Sequence, residues 1–291
     1  MTFEKEKYAV AVGNFDGVHI GHAALISTAR SLARATGGKV AVFTFDGFAP
    51  KGSSKHLITP EQRSEILRSM GVDKIFSRPF EALRDMSPAQ FCRQILALQC
   101  GASYVVCGYN FRFGAGAEGD ADTLCSVLRE LGIGAAVHDE VRYGGLPVSS
   151  TAIRKLLSEG RADHAEKLLG RPFSLCLPVV HGNHIGTGLG FPTINQNYPD
   201  DITPLCRGVY YCLVHIDGKT YRAVTNVGVK PTVGSDRVTV ESHVLDCDMD
   251  LYGKTVKTEF KSYLRGERRF DSLDGLKAQI AKDVDAVREI K

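Results

Sequence analysis

His19 and His22 stand three apart, just after the turn-forming run Gly13-Asn14-Phe15-Asp16-Gly17. A helix starting near His19 puts both imidazoles on one face of its first turn. Free backbone N–H groups and the positive end of the helix dipole lie there too, which suits a phosphate. A solvated turn and a pair of metal ligands are the other readings of such a pair. A second group is Val148-Ser-Ser-Thr-Ala-Ile-Arg154. Ser150 or Thr151 capping a helix with Arg154 in its first turn would converge hydroxyls, N–H groups and a guanidinium on a polyphosphate. An ordinary capped helix would read the same way. The third group runs from His181 to Asn195, with Gly182, Gly186, Gly188 and Gly190 ahead of Pro192-Thr193. Glycine-dense backbone can approach phosphates closely. Thr193 and Asn195 offer neutral oxygens two residues apart, on one face of an extended segment. With ATP phosphates they could complete an octahedral Mg²⁺ shell; a plain Gly-rich hairpin is the alternative.

The elements that must hold these groups follow from pattern. Ala9 to Val12 is a short apolar run, as expected of a buried strand, and Gly13 breaks it. A helix then covers Ala23 to Arg34. Further strands are expected at Lys39–Phe45, Val72–Ser77, Ala102–Gly108 and Gly134–His138. Helices are expected from Thr59-Pro60 to Gly71, from Ser87-Pro88, and over Asp122–Leu131. Alternating strands and helices predict a parallel α/β sheet, whose ligands bind at the carboxyl ends of the strands. Gly13–His22 sits at one such end and Gly108–Gly119 at another. Gly114, Gly116 and Gly119 spell Gly-x-Gly-x-x-Gly, but Tyr109 to Phe113 separate them from the strand and the next residues are acidic. The context of a dinucleotide fingerprint is therefore missing; a mobile surface loop is the plain reading. A short helix, Arg161–Pro172, marks a boundary. Beyond it come strands at Ser174–Val180, Gly208–Ile216, Lys219–Asn226, Val238–Leu245 and Thr255–Phe260, with Asp217-Gly218 as a hairpin turn. Closely spaced strands predict an antiparallel barrel. Apolar residues at 273, 276, 280, 284 and 287 predict a C-terminal amphipathic helix.

With 291 residues, 43% of them hydrophobic and 24% charged, the chain can form one large or two ordinary packed domains. A net charge of +3 argues against a nucleic-acid binder, which would carry a concentrated basic face. No apolar run reaches transmembrane length, and the charged start lacks the apolar core of a signal peptide. A soluble, cytoplasmic protein with small-molecule partners is expected, with its oligomeric state open. Eight cysteines without a Cys-x-x-Cys pair predict reduced, mostly buried thiols and neither a zinc nor an iron–sulfur site. Asp246, Asp248 and Asp250 imitate a calcium loop, but Leu251 and Lys257 occupy its sixth and twelfth positions and exclude it.

The strings themselves carry a resemblance. Gly13-Asn-Phe-Asp-Gly-Val-His-Ile-Gly-His22 resembles the His-x-Gly-His signature of nucleotidyltransferases in its flavin-nucleotide form. Gly108-Tyr-Asn-Phe-Arg-Phe-Gly114 and Ser149-Ser-Thr-Ala-Ile-Arg154 resemble two further motifs of that family. Gly190-Phe-Pro-Thr-Ile-Asn195 resembles the riboflavin kinase signature, with Asn226–Thr232, Glu241–His243 and Asp250–Gly253 in agreement. Nearly the whole chain is similar to the bacterial bifunctional riboflavin kinase/FAD synthetase family. The resemblance implies a Rossmann-like FMN adenylyltransferase domain over 1–160 and a β-barrel riboflavin kinase domain with a C-terminal helix over 170–291. It implies two ATP- and Mg²⁺-dependent steps, riboflavin to FMN and FMN to FAD with release of pyrophosphate. His19 and His22 would stabilise phosphate charge. Gly13, Asn14, Phe15, Asp16, Gly17, Asn110, Ser150, Thr151 and Arg154 would bind the first ATP, and Gly182 to Thr193 the second. Thr193 and Asn195 would hold the metal, and Glu241, otherwise a strand carboxylate, would be the kinase base. The chain departs from the family pattern at Gly47-Phe48-Ala49-Pro50, after Gly116, and at Thr187, where basic or histidine residues are usual. A single-activity enzyme and a non-catalytic flavin sensor or carrier are the competing readings.

Overall fold

The computed structural model describes residues 6–46, 55–182, 185–232 and 235–290. The Gly47–Pro50 departure lies outside them. Two compact units divide the chain, Met1–Ala152 and Ile153–Lys291.

The first unit opens with β1 (Tyr8–Val12), α1 (Ile20–Thr36), β2 (Lys39–Asp46), α2 (Pro60–Ser69) and β3 (Lys74–Pro79). Then come α3 (Pro88–Gln90), running on as a π-helix over Phe91–Gln99, β4 (Ala102–Gly108), α4 (Ala121–Glu130) and β5 (Gly134–His138), with a small hairpin of β6 (Arg142–Tyr143) and β7 (Leu146–Pro147). The first five strands are parallel, in the order β3-β2-β1-β4-β5. β1 is central and buried throughout, because helices cover both faces of such a sheet. Its alternate residues divide between two cores. Val10 and Val12 pack with Phe43, Phe91 and Leu96; Ala9 and Ala11 pack with Ile26 and Ala29 of α1.

The first unit differs from the pattern reading at several points, among them two element starts and one helix type. β3 starts at Lys74 rather than Val72; ahead of it Asp73 meets Val40 twice, its N–H donating to the Val40 carbonyl at 2.9 Å and its carboxylate, in place of a carbonyl, accepting the Val40 N–H at 2.8 Å. α4 starts one residue early, at Ala121, because Asp120 caps it by accepting the Thr123 N–H at 2.9 Å. The helix after Ser87 is mostly π-helical, and its last turn is closed by the Cys100 N–H on the Ile95 carbonyl at 2.8 Å.

The second unit contains most of α5 (Ser150–Ser158), which crosses the division, then α6 (Ala162–Leu169), β8 (Phe173–Pro178), α7 (Ile185–Gly188) and β9 (Ile194–Asn197). It continues with β10 (Gly208–Ile216), β11 (Lys219–Thr232), β12 (Ser235–Val244), β13 (Thr255–Arg265) and α8 (Leu273–Glu289). These strands form an antiparallel sheet in the order β8-β13-β10-β11-β12-β9. Its two edges meet where the Val180 N–H donates to the Asn195 carbonyl at 2.8 Å, so the sheet curls into a barrel. Inside, Tyr210, Phe173 and Phe260 supply bulk. Buried polar groups there are paired: Thr225 donates to Ser242 at 2.9 Å, and the Gln196 amide donates to Leu177 and Val256 carbonyls at 2.8 and 3.0 Å. Asp217 and Gly218 both adopt positive φ, as a two-residue hairpin turn requires.

Val284 and Val287 of α8 pack on Val209 and Val224. Leu273 is 65% exposed, because it opens the helix beside the Ser272 cap, about three turns before the buried Val284 and Val287. All eight cysteines are free, as expected, but only Cys92, Cys100, Cys107 and Cys212 are buried; Cys176 is exposed. Burial pushes the Cys92, Cys100 and Cys107 thiols up to about 12, which keeps them protonated and unreactive.

Candidate active sites

The strand order reverses between β1 and β4, and there the loops of an α/β sheet form a cleft. Gly13–Gly17 leaves the end of β1, and Asn110 leaves the adjoining end of β4. The β1 loop is tightly lashed. Thr44 Oγ1 and Arg63 Nη1 donate to the Asn14 carbonyl at 3.0 and 3.3 Å. Arg63 Nη2 also donates to the Phe45 carbonyl at 3.2 Å. Asp16 Oδ1 accepts the Leu57 N–H at 2.8 Å, and the Asp16 carbonyl accepts the Ser150 hydroxyl at 2.9 Å. Phe15 is fully buried although φ is +51°, and Val18 sits at φ +39°, unusual for a β-branched residue. Strain of this kind concentrates at functional loops. Arg63 was not singled out by the sequence pattern, because its partners come from other strands. Burial lowers its pKa, and the Asp16 and Asp46 carboxylates oppose that fall.

His19 is the N-cap of α1 and His22 its third residue. The His22 N–H donates to His19 Nδ1, and the His19 N–H to His22 Nδ1, each at 3.3 Å. This is a capping box built of two imidazoles instead of a hydroxyl and a carboxylate. The rings stack with centroids 3.7 Å apart, and Phe15 leans on His22 at 4.9 Å. A Cβ on Gly21 would stand 3.1 Å from the His19 ring, so the glycine makes room for the imidazole. An Nδ1 that accepts a backbone N–H leaves the proton of a neutral ring on Nε2. Both histidines thereby become Nε2–H donors at a helix N-terminus, suited to phosphate oxygens.

The expected cap of α5 needs correction. α5 already includes Ser150, and the capping hydroxyl is that of Ser149, which accepts the Ala152 N–H at 3.2 Å. Ser150 is drawn away by its bond to Asp16. Thr151 is exposed in the first turn, and Arg154 follows on the same helix in the second unit. Asn110 is exposed in a turn closed by the Phe111 N–H on the Gly108 carbonyl at 3.0 Å.

In the barrel, register makes the site. Glu241 on β12 pairs directly with Asn195 on β9 and with Asn226 on β11. Directly paired residues share a face, so Asn195, Glu241 and Asn226 form one row. Their sequence neighbours Val240, Ser242, Thr225 and Gln196 fill the barrel interior, which puts the row outside. Asn226 was quoted in a motif but not chosen as a site residue; only the register reveals it.

The loop before β9 folds onto this face. The Phe191 N–H donates to the Gly186 carbonyl at 2.8 Å, and His243 Nδ1–H donates to the Pro192 carbonyl at 2.8 Å. A Cβ on Gly182 would run into the Asn195 amide, while Gly188 and Gly190 have open space around them. The Asn195 amide donates to Thr193 Oγ1 at 3.5 Å, so the two side chains converge. Hydroxyl and amide oxygens are hard, neutral donors and fit Mg²⁺ better than softer metals. Among the described residues no three His, Cys, Asp or Glu side chains group to hold a metal by themselves.

A parallel sheet with a phosphate-ready helix start at its switch point, followed by a curled antiparallel barrel with a carboxylate beside neutral oxygens, defines a two-domain, nucleotide-using transferase. The comparisons are specific. Residues 2–152 match the family model for FAD synthetase, and residues 169–291 the model for riboflavin kinase. The chain is 36% identical to the bifunctional riboflavin kinase/FMN adenylyltransferase of Escherichia coli K12, over 98% of this chain and 93% of that one. It is 37% identical to the Pseudomonas fluorescens protein of that name, over 96% and 91%. It also superposes, with a TM-score of 0.89 and 28% identity over 100% and 96% of the chains, on a solved Streptococcus pneumoniae structure described as a macrolide-efflux protein. In the described residues here, no helix is long and apolar enough to cross a membrane. This chain belongs to the bifunctional riboflavin kinase/FMN adenylyltransferase family.

Proposed function

We propose that the two activities of the family are divided between the two sites, with FMN adenylyltransferase in 1–160 and riboflavin kinase in 170–291. The enzyme phosphorylates riboflavin to FMN with ATP, then adenylylates FMN to FAD. The observation that most supports the division is the outer row Asn195–Glu241–Asn226, in a unit separate from the histidine pair.

In the adenylyl step an FMN phosphate oxygen attacks the α-phosphorus of ATP, and the bond to the β-phosphate oxygen breaks to release pyrophosphate. His19 and His22 donate Nε2–H to phosphate oxygens as charge shifts onto the leaving group. Gly13–Gly17, held by Thr44, Arg63 and Ser150, keeps its backbone against the nucleotide, with Asn110 on the adjoining strand end. Ser150, Thr151 and Arg154 serve the pyrophosphate end. In the kinase step Glu241 takes the proton of the terminal ribityl hydroxyl as its oxygen attacks the γ-phosphorus and ADP leaves. Gly182, Gly186, Gly188, Gly190 and Pro192 form the ATP loop. Thr193 and Asn195 would hold Mg²⁺, which when bound neutralises charge on the transferring phosphates. The eight free thiols support a reducing, cytoplasmic setting.

Incubation with riboflavin, ATP and Mg²⁺, followed by chromatographic separation of flavins, tests the reading. FMN should appear first and FAD after it. FMN that never proceeds to FAD would reduce the protein to a single activity. Bound but unconverted riboflavin would make it a flavin carrier.

A further inference from the structure

Gly228 lies two residues beyond Asn226 on β11, on the same outer face. Its backbone has no positive φ to explain the glycine. The reason is space. A Cβ there would overlap Glu267 Oε1 and stand 3.0 Å from Asn226 Nδ2. The Glu267 carboxylate thus reaches back from the segment after β13 and lies against the strand at the residue that has no side chain. It lies beside the strand, next along from Asn226, with which Glu241 pairs from β12.

The segment carrying Glu267 is pinned close by. Arg265 ends β13, and its guanidinium grips Asp283 of α8 through Nε at 3.0 and 3.1 Å and Nη2 at 2.6 Å. Asp283 is 6% exposed, so this pair is desolvated and geometrically fixed. Arg265 Nη1 also donates to the Gly266 carbonyl at 3.1 Å, directly before Glu267. At the far end, Ser272 Oγ accepts the Gly275 N–H at 3.1 Å and caps α8. The chain on either side of Glu267 is thus fixed, while Glu267 itself is exposed.

This outer face therefore presents the Glu241 carboxylate, the Asn226 amide and the Glu267 carboxylate near one another. Only one carboxylate is needed as the base. A succession of acceptors with an amide between them is complementary to a chain of hydroxyls, each of which can donate one hydrogen bond. We propose that Glu267, with Asn226, binds the inner hydroxyls of the ribityl chain and so decides which hydroxyl reaches Glu241. This rests on the kinase site proposed above. Gly228 is kept small so that the Glu267 carboxylate can lie there.

Binding and steady-state kinetics of the full chain test the proposal. Hydrogen bonds to a charged acceptor are the stronger kind, so Glu267→Gln should raise the riboflavin KM by about 10-fold or more. The kinase kcat should stay within about twofold, the pattern of lost ground-state binding. The ATP KM and the rate of FMN adenylylation should be unchanged. Flavin fluorescence gives a second reading, using riboflavin and lumiflavin, which lacks the ribityl hydroxyls. The intact protein should prefer riboflavin, and Glu267→Gln should erase most of that preference by weakening riboflavin alone. Gly228→Ala, which pushes the carboxylate out, should reproduce the riboflavin KM rise. Unchanged riboflavin KM and unchanged preference in Glu267→Gln would overturn the proposal. Glu241→Gln, assayed beside it, separates the two ideas. If Glu241→Gln loses turnover while Glu267→Gln is silent, the site stands and the ribityl contact falls. If neither changes the kinase, the site itself is misplaced.

Discussion

At the scale of single residues, local bonding decides what each side chain can do. Glu241 stands between two amides, Asn195 and Asn226, in a strand row. Glu241→Gln keeps shape and removes basicity. The kinase kcat should fall on the order of 10²-fold or more, the range of general-base effects, with little change in either KM. A raised riboflavin KM at unchanged kcat would make the residue a binder only. The two serines of α5 should also separate. Ser149→Ala removes the cap and should cost about 1 kcal/mol of stability with little effect on adenylylation. Ser150→Ala releases the Asp16 carbonyl and should slow adenylylation more than it lowers the Tm. The histidine pair was legible in the sequence, because its spacing and a helix start suffice. The choice between Ser149 and Ser150 was not, since adjacent hydroxyls are equivalent until the Asp16 carbonyl claims one of them. Asn226 and Arg63 were not legible either, because their roles depend on strand pairings and contacts from distant parts of the chain.

At the scale of elements, β1, β4 and β10 were read to within a residue, because their apolar runs end at Gly13, after Gly108 and at Asp217-Gly218. The π-helix at Phe91–Gln99 leaves no mark in composition; it becomes visible only in i→i−5 bonding such as that of the Cys100 N–H to the Ile95 carbonyl. A testable element is the barrel strand β13. Glu259 accepts from Lys257 at 2.7 Å and lies 3.2 Å from His215 Nε2 on β10. Burial alone would raise its pKa, but the Lys257 ammonium and the His215 ring beside it outweigh burial and hold the carboxyl below its usual value. A depressed carboxyl stabilises the fold above its unfolded pKa of about 4.3. That contribution is lost as the pH falls through the folded value. Glu259→Gln should therefore cost about 1–2 kcal/mol near neutral pH, a gap in denaturant midpoints that narrows as the pH drops below about 4. A gap that stays constant down to acid pH would show that packing, not charge, sets the cost.

At the scale of the whole molecule, the FAD synthetase match and the first compact unit both end at residue 152, whereas the riboflavin kinase match starts at 169 and the second unit at Ile153. α5 and α6 bind the barrel unit: the Glu166 carboxylate accepts from Lys261 at 2.7 and 2.9 Å, and the Cys206 N–H donates to the Leu157 carbonyl at 3.0 Å. A fragment from Val148 to Lys291 should therefore be more stable than one from Leu169, and should make FMN without FAD. Equal stability of the two fragments would mean that those helices contribute nothing to the barrel. The central claim is that two sites in two units share the work. The most direct measurement follows FMN and FAD together, from riboflavin and ATP, in His22→Ala and Glu241→Gln made in the full chain, with added FMN as an alternative start. His22→Ala should accumulate FMN at close to the normal rate and make almost no FAD. Glu241→Gln should make little FMN from riboflavin, yet convert added FMN to FAD normally. If either substitution abolishes both products alike, the assignment of one step to each site is contradicted.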